Sequence, residues 1–210
     1  NCGFGAGHNL AIKASSDFDG YFLICNPDIS FDKQSLDKLV SFAWINEYNF
    51  VSPQIIYKNG ERQYNCRLLP TPSNLFLRRF LPTTAIKYDA TYELKDAEYD
   101  KVFSPPSVSG CFMLLTNVLL QKLNGFDERY FMYLEDVDLC RRALQLTKIY
   151  YCPETTIVHV FNKGSYKSKL LLWYHIRSAI TYFNKWGWFF DKKRYAYNES
   201  ALRNIPRKLS

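Results

Sequence analysis

The sequence has no uninterrupted apolar run near the ~20 residues that a membrane-spanning helix requires. It also has no internal repeat and no low-complexity tract. The opening "NCGFGAGHNLAIKA" has neither the charged-then-apolar order of a signal peptide nor the pattern of a transit peptide. A start at Asn1 rather than Met is typical of a piece of a longer protein. At 210 residues, the chain is long enough for one domain of α/β size.

No C-x-x-C pair occurs among the six cysteines. Most of them lie inside apolar runs such as "FLICN" and "GCFMLL". Disulfide frameworks and zinc sites have characteristic close spacings that are missing here. The pattern therefore favours reduced, buried thiols in a cytosolic protein.

The net charge of +7 is unevenly distributed along the chain. Residues 161–210 hold 11 Lys and Arg against only Asp191 and Glu199, and they are rich in aromatic residues. A basic, aromatic helix suits the surface of an anionic membrane, where each cation contributes about 1 kcal/mol. The alternative is a helix packed on its own domain with solvated lysines. Nucleic acid is disfavoured as a partner because no recognition motif accompanies the charge.

Apolar runs alternate with helical patterns along the first 160 residues. The run 21–29 predicts a buried strand, 30–47 a helix capped by Ser30 or Asp32, and 49–57 a second strand. Further strands are predicted at 108–116, 148–154 and 155–161, and helices at 117–125 and 135–146. The proline-rich stretch 65–107 is interpreted as an insertion or a flexible substrate loop with one short helix. The alternation predicts an α/β fold with a mostly parallel sheet.

Three carboxylates open the helix "EDVDLCRRALQL". At about 100° per residue, Asp136 falls near the centre of the apolar arc, whereas Asp138 falls on the opposite face. Asp138 is thus predicted to be a solvated ion-pair partner, and Glu135 to cap the helix. An inward-facing Asp136 either caps its own backbone or acts as an active-site base.

Asp28 and His159 lie at the carboxyl ends of predicted strands. Because ligands of open α/β sheets bind beyond the carboxyl ends of strands, Asp28 is either a turn residue or a ligand of Mg²⁺ or Mn²⁺ on a diphosphate. His159 is either a packed core residue or a further metal ligand. The glycines Gly3, Gly5 and Gly7 do not have the G-x-G-x-x-G spacing of a phosphate loop.

Five strings together resemble the inverting family-two glycosyltransferases, in particular their bacterial rhamnosyltransferase-like branch. They are "GFGAGHNLAI" (3–12), "LICNPDI" (23–29), "SGCFMLLT" (109–116), "LNGFDERYFMYLEDVDLCRRA" (123–143) and "YYCPETTIVHV" (150–160). The resemblance implies a GT-A (nucleotide-diphospho-sugar transferase) fold, with a mostly parallel sheet flanked by helices. It divides the chain into a catalytic domain, 1–160, and a basic, aromatic helical segment, 161–210. His8 and Thr147 depart from the residues common at these positions. The family's first strand-helix unit and nucleotide-binding segment have no counterpart, which implies weak donor binding by this chain alone.

The same resemblance assigns roles to five residues. Asp136 resembles the catalytic base, and Asp28 the last acid of the element that holds a Mg²⁺ or Mn²⁺ on the donor diphosphate. Asn26 stands where the first acid of that element often is, and His159 matches a histidine that completes the metal shell in some relatives. Gly110 resembles the loop that faces donor sugar and acceptor.

The function implied is transfer of a sugar to a glycan or polyprenyl-linked acceptor with inversion. The sugar expected from the resemblance is L-rhamnose, donated by dTDP-L-rhamnose. It would take place in the cytoplasm, with peripheral contact at the inner face of the membrane. The alternative is a truncated, noncatalytic homologue that acts as a binding module. A sugar nucleotidyltransferase is disfavoured because no basic phosphate-binding loop is visible.

Overall fold

The computed structural model describes residues 2–80, 90–160 and 169–208, without the side chains of 77–80. Its helices are α1 Phe4–Ala14, α2 Lys33–Ile45, α3 Pro72–Phe80, α4 Asn117–Leu123, α5 Glu135–Ala143, α6 Lys169–Trp186 and α7 Lys192–Asn204. Its strands are β1 Tyr21–Cys25, β2 Ile29–Ser30, β3 Phe50–Ile56, β4 Arg62–Gln63, β5 Cys66–Arg67, β6 Ser107–Val108, β7 Phe112–Thr116 and β8 Tyr150–His159.

A six-stranded sheet forms the centre of the molecule in the order β1-β7-β3-β8-β2, with β4 beside β3. Its two longest strands, β3 and β8, pair in parallel, whereas the other pairings are antiparallel. The sheet is therefore mixed. The strands β5 and β6 form a separate two-stranded sheet.

Helices cover both faces of the central sheet. Strand β7 shows the arrangement, because Met113 and Leu115 join the core cluster that includes Leu139 of α5, whereas Leu114 joins the cluster that includes Leu39 of α2. Successive side chains of a strand point to opposite faces, so a strand buried on both faces is apolar throughout. The predicted α/β class is confirmed.

The predicted strands 148–154 and 155–161 form one strand, β8, rather than two. The pairing register with β3 shifts between Pro53 and Gln54, where Pro53 lies opposite Cys152 and Gln54 opposite Thr156. Pro53 has no N–H for the ladder, and neither does Pro153, which follows Cys152 on β8. The sequence pattern breaks at these prolines, but the strand continues beyond them.

Part of the stretch 65–107 packs into the core. Tyr99 and Phe103 are buried, and both rings contact the ring of Tyr151 on β8. The predicted short helix is present as α3. The interpretation as a flexible loop is therefore wrong for 90–107, while residues 81–89 lie outside the described ranges.

The helix α1 was not predicted from the sequence. Its two glycines are poor helix formers, but its buried face carries Gly5, Asn9 and Ile12 at helical spacing. A Cβ added to Gly5 would lie 2.7 Å from Cβ of Phe126. Asn9 accepts a hydrogen bond from the Phe126 N–H at 2.8 Å and donates one to the Phe126 carbonyl at 2.9 Å. Packing against Phe126 thus outweighs local propensity.

The C-terminal segment contains two helices, α6 and α7, in its described part. Tyr182 and Phe183 of α6 are buried against Leu134 and Val137 at the start of α5. Arg141 of α5 and Asp191 at the start of α7 form an ion pair of 2.6 Å with both side chains buried. One side of α6 is therefore packed on the sheet domain. In the described residues, no helix has the length and apolar character needed to cross a membrane.

Candidate active site

Asn26 follows the carboxyl end of β1. Gly110 lies in the turn before β7, at the same end of the sheet. Cys25 pairs with Phe112, and one residue further the Asn26 N–H donates to the Cys111 carbonyl at 2.9 Å. Neighbouring strands lie about 5 Å apart in the direction of these hydrogen bonds. The turn after β1 and the turn before β7 are therefore direct neighbours.

Asp136, at the second position of α5, is anchored to the turn before β7. Gly110 N–H donates to Asp136 Oδ2 at 2.8 Å, and Val137 N–H donates to Oδ1 at 2.8 Å. These two bonds orient the carboxylate and leave further lone pairs on both oxygens. The N-cap of α5 is Leu134, and no side chain caps the helix there. Capping alone thus does not account for Asp136.

Gly110 leaves just enough space for this carboxylate. A Cβ at position 110 would lie 2.9 Å from Cβ of Asp136 and 3.4 Å from Oδ2. Real Cβ contacts are essentially never that short, so any side chain would displace Asp136. Glycine is required at position 110 because Asp136 lies so close to it. The resemblance had implied instead that Gly110 faces the donor sugar and the acceptor.

The capping predicted for Glu135 is limited, among the described residues, to its own backbone N–H. Its side chain is buried, and none of the described groups donates a hydrogen bond to Oε2. Burial, and secondarily the charge of Asp136, raise the pKa of Glu135 to about 8. The helix therefore begins with one neutral acid at pH 7, next to the oriented carboxylate of Asp136.

The buried Glu135 predicts a pH dependence of stability. The unfolded chain ionises Glu135 near pH 4.5 and the folded chain near pH 8, so rising pH between these values favours unfolding. We expect the unfolding free energy of Glu135→Gln relative to wild type to increase by roughly 3 kcal/mol from pH 5 to pH 8. Urea titrations at both pH values measure it, with the exposed Glu154→Gln as control. Parallel pH curves for the Glu135→Gln variant and wild type would contradict the assignment.

Asp28 and His159 are neighbours at the same end of the sheet, where β2 begins and β8 ends. Ile29 pairs with His159 in the β2–β8 ladder, and the Val160 N–H donates to the Asp28 carbonyl at 2.9 Å. His159 Nε2 lies 3.3 Å from Asp28 Oδ1. The His159 side chain is 3% exposed, whereas that of Asp28 is 42% exposed. The carboxylate of Asp28 is thus open to a ligand, with the imidazole behind it.

The second nitrogen of His159 contacts an amide. Nδ1 lies 3.0 Å from Oε1 of Gln63 on β4. If Nδ1 donates to this oxygen, Nε2 keeps the lone pair with which a neutral imidazole binds a metal ion. Burial lowers the pKa of His159, while Asp28 raises it to a smaller extent. A neutral imidazole and a carboxylate oxygen at this distance can both contact one cation.

The structure brings all five predicted site residues to one end of the central sheet, where β1 and β8 end. Asp136 is bonded to Gly110, the next residue Cys111 is bonded to Asn26, and Asp28 follows two positions later beside His159. Among the residues described on either side of the gaps at 81–89 and 161–168, no three His, Cys, Asp or Glu side chains cluster as a metal site. Asp28 and His159 would therefore be two protein ligands among other donors.

The loop before α5 is held by the C-terminal helix α6, which the sequence did not reveal. Tyr133 and Leu134 have φ of 70° and 63°, a conformation that costs a non-glycine residue roughly 1–2 kcal/mol. Ser178 Oγ donates to the Met132 carbonyl at 2.7 Å, and the rings of Phe131 and Tyr174 stack at 4.5 Å. Contacts from α6 thus help to hold the strained backbone that aims Asp136.

Asp138 is fully buried, so the prediction of a solvated ion pair is wrong. Its predicted partner is present, since Arg142 Nε donates to Oδ2 at 2.8 Å. Oδ1 accepts from Trp186 Nε1 at 2.8 Å and lies 2.7 Å from Lys185 Nζ. The face of α5 that lies opposite its own apolar arc is covered by α6, a contact that a helical wheel cannot show.

Comparisons with known proteins identify related glycosyltransferases. No protein-family profile matches the chain. The rhamnosyltransferase WbbL of Escherichia coli is 28% identical over 86% of this chain and 69% of its own length. The N-acetylglucosaminyl-diphospho-decaprenol L-rhamnosyltransferase of Mycobacterium tuberculosis is 27% identical over 76% of this chain and 56% of its own length. The chain thus spans a little over half to about two thirds of these relatives.

A solved structure supports the fold. The crystal structure of GalNAc-T7 with UDP, GalNAc and Mn²⁺ superimposes with a TM-score of 0.53 over 85% of this chain and 34% of that chain, at 11% identity. At this identity the match concerns the fold alone. The GT-A-type α/β fold and the resemblance to rhamnosyltransferase-like glycosyltransferases are confirmed.

Proposed function

We propose that residues 1–160 form the catalytic part of a glycosyltransferase that moves a sugar from a nucleotide-sugar to a glycan or lipid-linked glycan with inversion. The observation that carries this proposal is the series of hydrogen bonds and chain neighbours that links Asp136, through Gly110 and Asn26, to Asp28. The rhamnosyltransferase names of the two relatives support L-rhamnose as the sugar. The donor in this proposal is dTDP-L-rhamnose.

Asp136 is the base in this proposal. Its carboxylate accepts the proton of the acceptor hydroxyl while that oxygen attacks the anomeric carbon. The nucleoside diphosphate leaves from the opposite side, so a single displacement inverts the anomeric centre. The bonds from Gly110 and Val137 hold the carboxylate in place before the acceptor arrives, and such preorganisation lowers the barrier.

Asp28 and His159 would hold a Mg²⁺ or Mn²⁺ on the donor. The exposed carboxylate and the Nε2 lone pair fit such an ion, and the GalNAc-T7 structure was solved with Mn²⁺. When bound, the ion neutralises charge that develops on the leaving diphosphate. Gln63 fixes the ring orientation of His159, and Asn26 positions the turn that carries Asp28.

Removing a proposed metal ligand should weaken nucleotide binding. We expect Asp28→Asn to lower the Mn²⁺-dependent affinity for dTDP by about 10- to 100-fold, the range seen when metal-site residues are lost. Titration calorimetry with and without Mn²⁺ measures this, with the exposed Asp17→Asn as control. An Asp28→Asn variant whose Mn²⁺-dependent affinity equals that of wild type would exclude Asp28 as a ligand.

The activity itself is tested by a donor screen. The protein is incubated with a panel of nucleotide-sugars, an acceptor glycan and Mn²⁺ or Mg²⁺, and release of nucleoside diphosphate is followed. We expect acceptor-dependent release with dTDP-L-rhamnose above the other donors. Donor binding without transfer would instead support the alternative of a noncatalytic binding module.

A polyprenyl-linked acceptor belongs to the same proposal. The M. tuberculosis relative is named for a decaprenol-linked acceptor. Such an acceptor is available only at a bilayer, which makes peripheral contact at the inner face of the membrane part of the proposed function.

A further inference from the structure

Helix α6 has an outward face that no described part of the chain covers. Trp173, Ile176 and Ile180 are 52%, 44% and 45% exposed. At about 100° per residue, the three side chains fall within one arc narrower than 90°. The opposite side of the helix carries the buried Ser178 and Tyr182. The exposed arc is therefore a continuous apolar strip.

The turn between α6 and α7 extends this strip. Phe189 and Phe190 are 77% and 98% exposed. Their neighbour Trp188 donates through Nε1 to Asn184 Oδ1 at 2.8 Å, and Asn184 lies on the exposed arc of α6. We define the basic aromatic surface by its apolar residues Trp173, Ile176, Ile180, Phe189 and Phe190. Exposed apolar residues that are contiguous mark an interaction site, unlike scattered ones.

The exposed charges on α6 and in the first two residues of α7 are all positive. Lys169 and Arg177 lie on the same arc of α6, and Lys192 and Lys193 follow the turn. Helix α6 contains no acidic residue, and Asp191 is buried against Arg141. Docking a second copy face to face would bring these cations together without a counter-charge. An anionic lipid surface supplies both the negative charge and an apolar layer for the aromatic rings.

We propose that the basic aromatic surface binds the anionic surface of a bilayer and places the candidate active site beside it. The inference rests on the proposed function, which requires a lipid-linked acceptor. The same helix contacts the loop before Asp136 on its other side, through Ser178 and Tyr174. A helix is about 10 Å across, so the surface and this loop are separated by about one helix diameter.

Vesicle binding tests the surface without requiring catalysis. The 210-residue chain is sedimented with phosphatidylcholine vesicles, with or without phosphatidylglycerol. We expect binding to the anionic vesicles that weakens with salt. The double variant Phe189→Ser/Phe190→Ser should reduce the partition constant at least about tenfold, since two exposed aromatic rings are lost.

The matched control is Trp44→Ser/Ile45→Ser, which removes two apolar side chains of similar exposure. They lie on α2, which packs in a different core cluster. This control should bind vesicles as wild type does. Equal binding by the Phe189→Ser/Phe190→Ser variant and the control would overturn the proposal. Self-association that the Phe189→Ser/Phe190→Ser variant abolishes, without vesicle binding by wild type, would instead assign the surface to a second copy.

Transfer to a water-soluble acceptor separates this inference from the proposed function. The Phe189→Ser/Phe190→Ser variant should transfer to a soluble acceptor as wild type does, but lose transfer to an acceptor embedded in vesicles. If the wild-type chain binds vesicles but transfers to neither acceptor, membrane binding by the basic aromatic surface is supported and the proposed glycosyltransferase activity is contradicted. Transfer without vesicle binding would do the reverse.

Discussion

Replacing Asp136 with asparagine is expected to lower the rate of sugar transfer by about 10²–10⁴-fold, the usual contribution of a general base. An amide cannot accept the proton of the acceptor hydroxyl. Dependence of nucleotide binding on Mn²⁺ should persist, because Asp28 and His159 are unchanged in this variant. The rate is measured by nucleoside diphosphate release and the binding by calorimetry.

Two checks make the Asp136 result interpretable. Both carboxylate oxygens accept a backbone N–H, so the amide of asparagine must lose one of these bonds at a cost of about 1–3 kcal/mol. The thermal midpoint therefore has to be measured beside the rate. Asp37→Asn, an exposed acid on α2, is the matched control. Turnover of Asp136→Asn near the wild-type rate would remove Asp136 as the base.

Replacing Asp138 with asparagine is expected to have the largest effect on stability. Asp138 is fully buried and balances Arg142 and Lys185, while it also accepts from Trp186. Removing one partner from a buried ionic group costs about 3–5 kcal/mol. For a chain of this size, that corresponds to a decrease of about 10 °C in the thermal midpoint. Urea unfolding and a thermal scan measure both quantities.

The matched control for Asp138 is Glu199→Gln. Glu199 and Arg203 of α7 form an ion pair with the same i,i+4 spacing as Asp138 and Arg142, but on the surface. Exposed pairs contribute about 0–1 kcal/mol, so Glu199→Gln should hardly change stability. A small, equal effect of both substitutions would show that burial of Asp138 does not matter for folding.

The sequence predicted the elements that carry the site because their signals are local. Apolar runs bounded by turns identified β1, β3 and β7, and the side chain of Asp32 caps α2 through the Ser35 N–H at 2.6 Å. Strand ends were therefore predictable to within a few residues. From strand ends alone, Asn26, Asp28 and His159 could be placed at the edge of a sheet.

The surroundings of each acid were not predictable in the same way. Glu135 was predicted to cap α5 and Asp138 to lie on its polar face, but both side chains are buried. Burial of a helix face depends on what packs against it, and the covering residues Lys185 and Trp186 are about 50 positions away in the chain. The excess of cations after residue 160 indicated that this segment could pair with acids. It did not identify which acids those cations contact.

The sequence by itself determined where β1, β3, β7, α2 and α5 form, and which acids stand at their ends, because periodicity and turn residues act over a few neighbours. Only the tertiary structure decided the neighbours of those acids. It placed Gly110 against Asp136, Gln63 against His159, and α6 over Asp138. Such contacts join distant parts of the chain, and they form only where packing and buried charge favour them together.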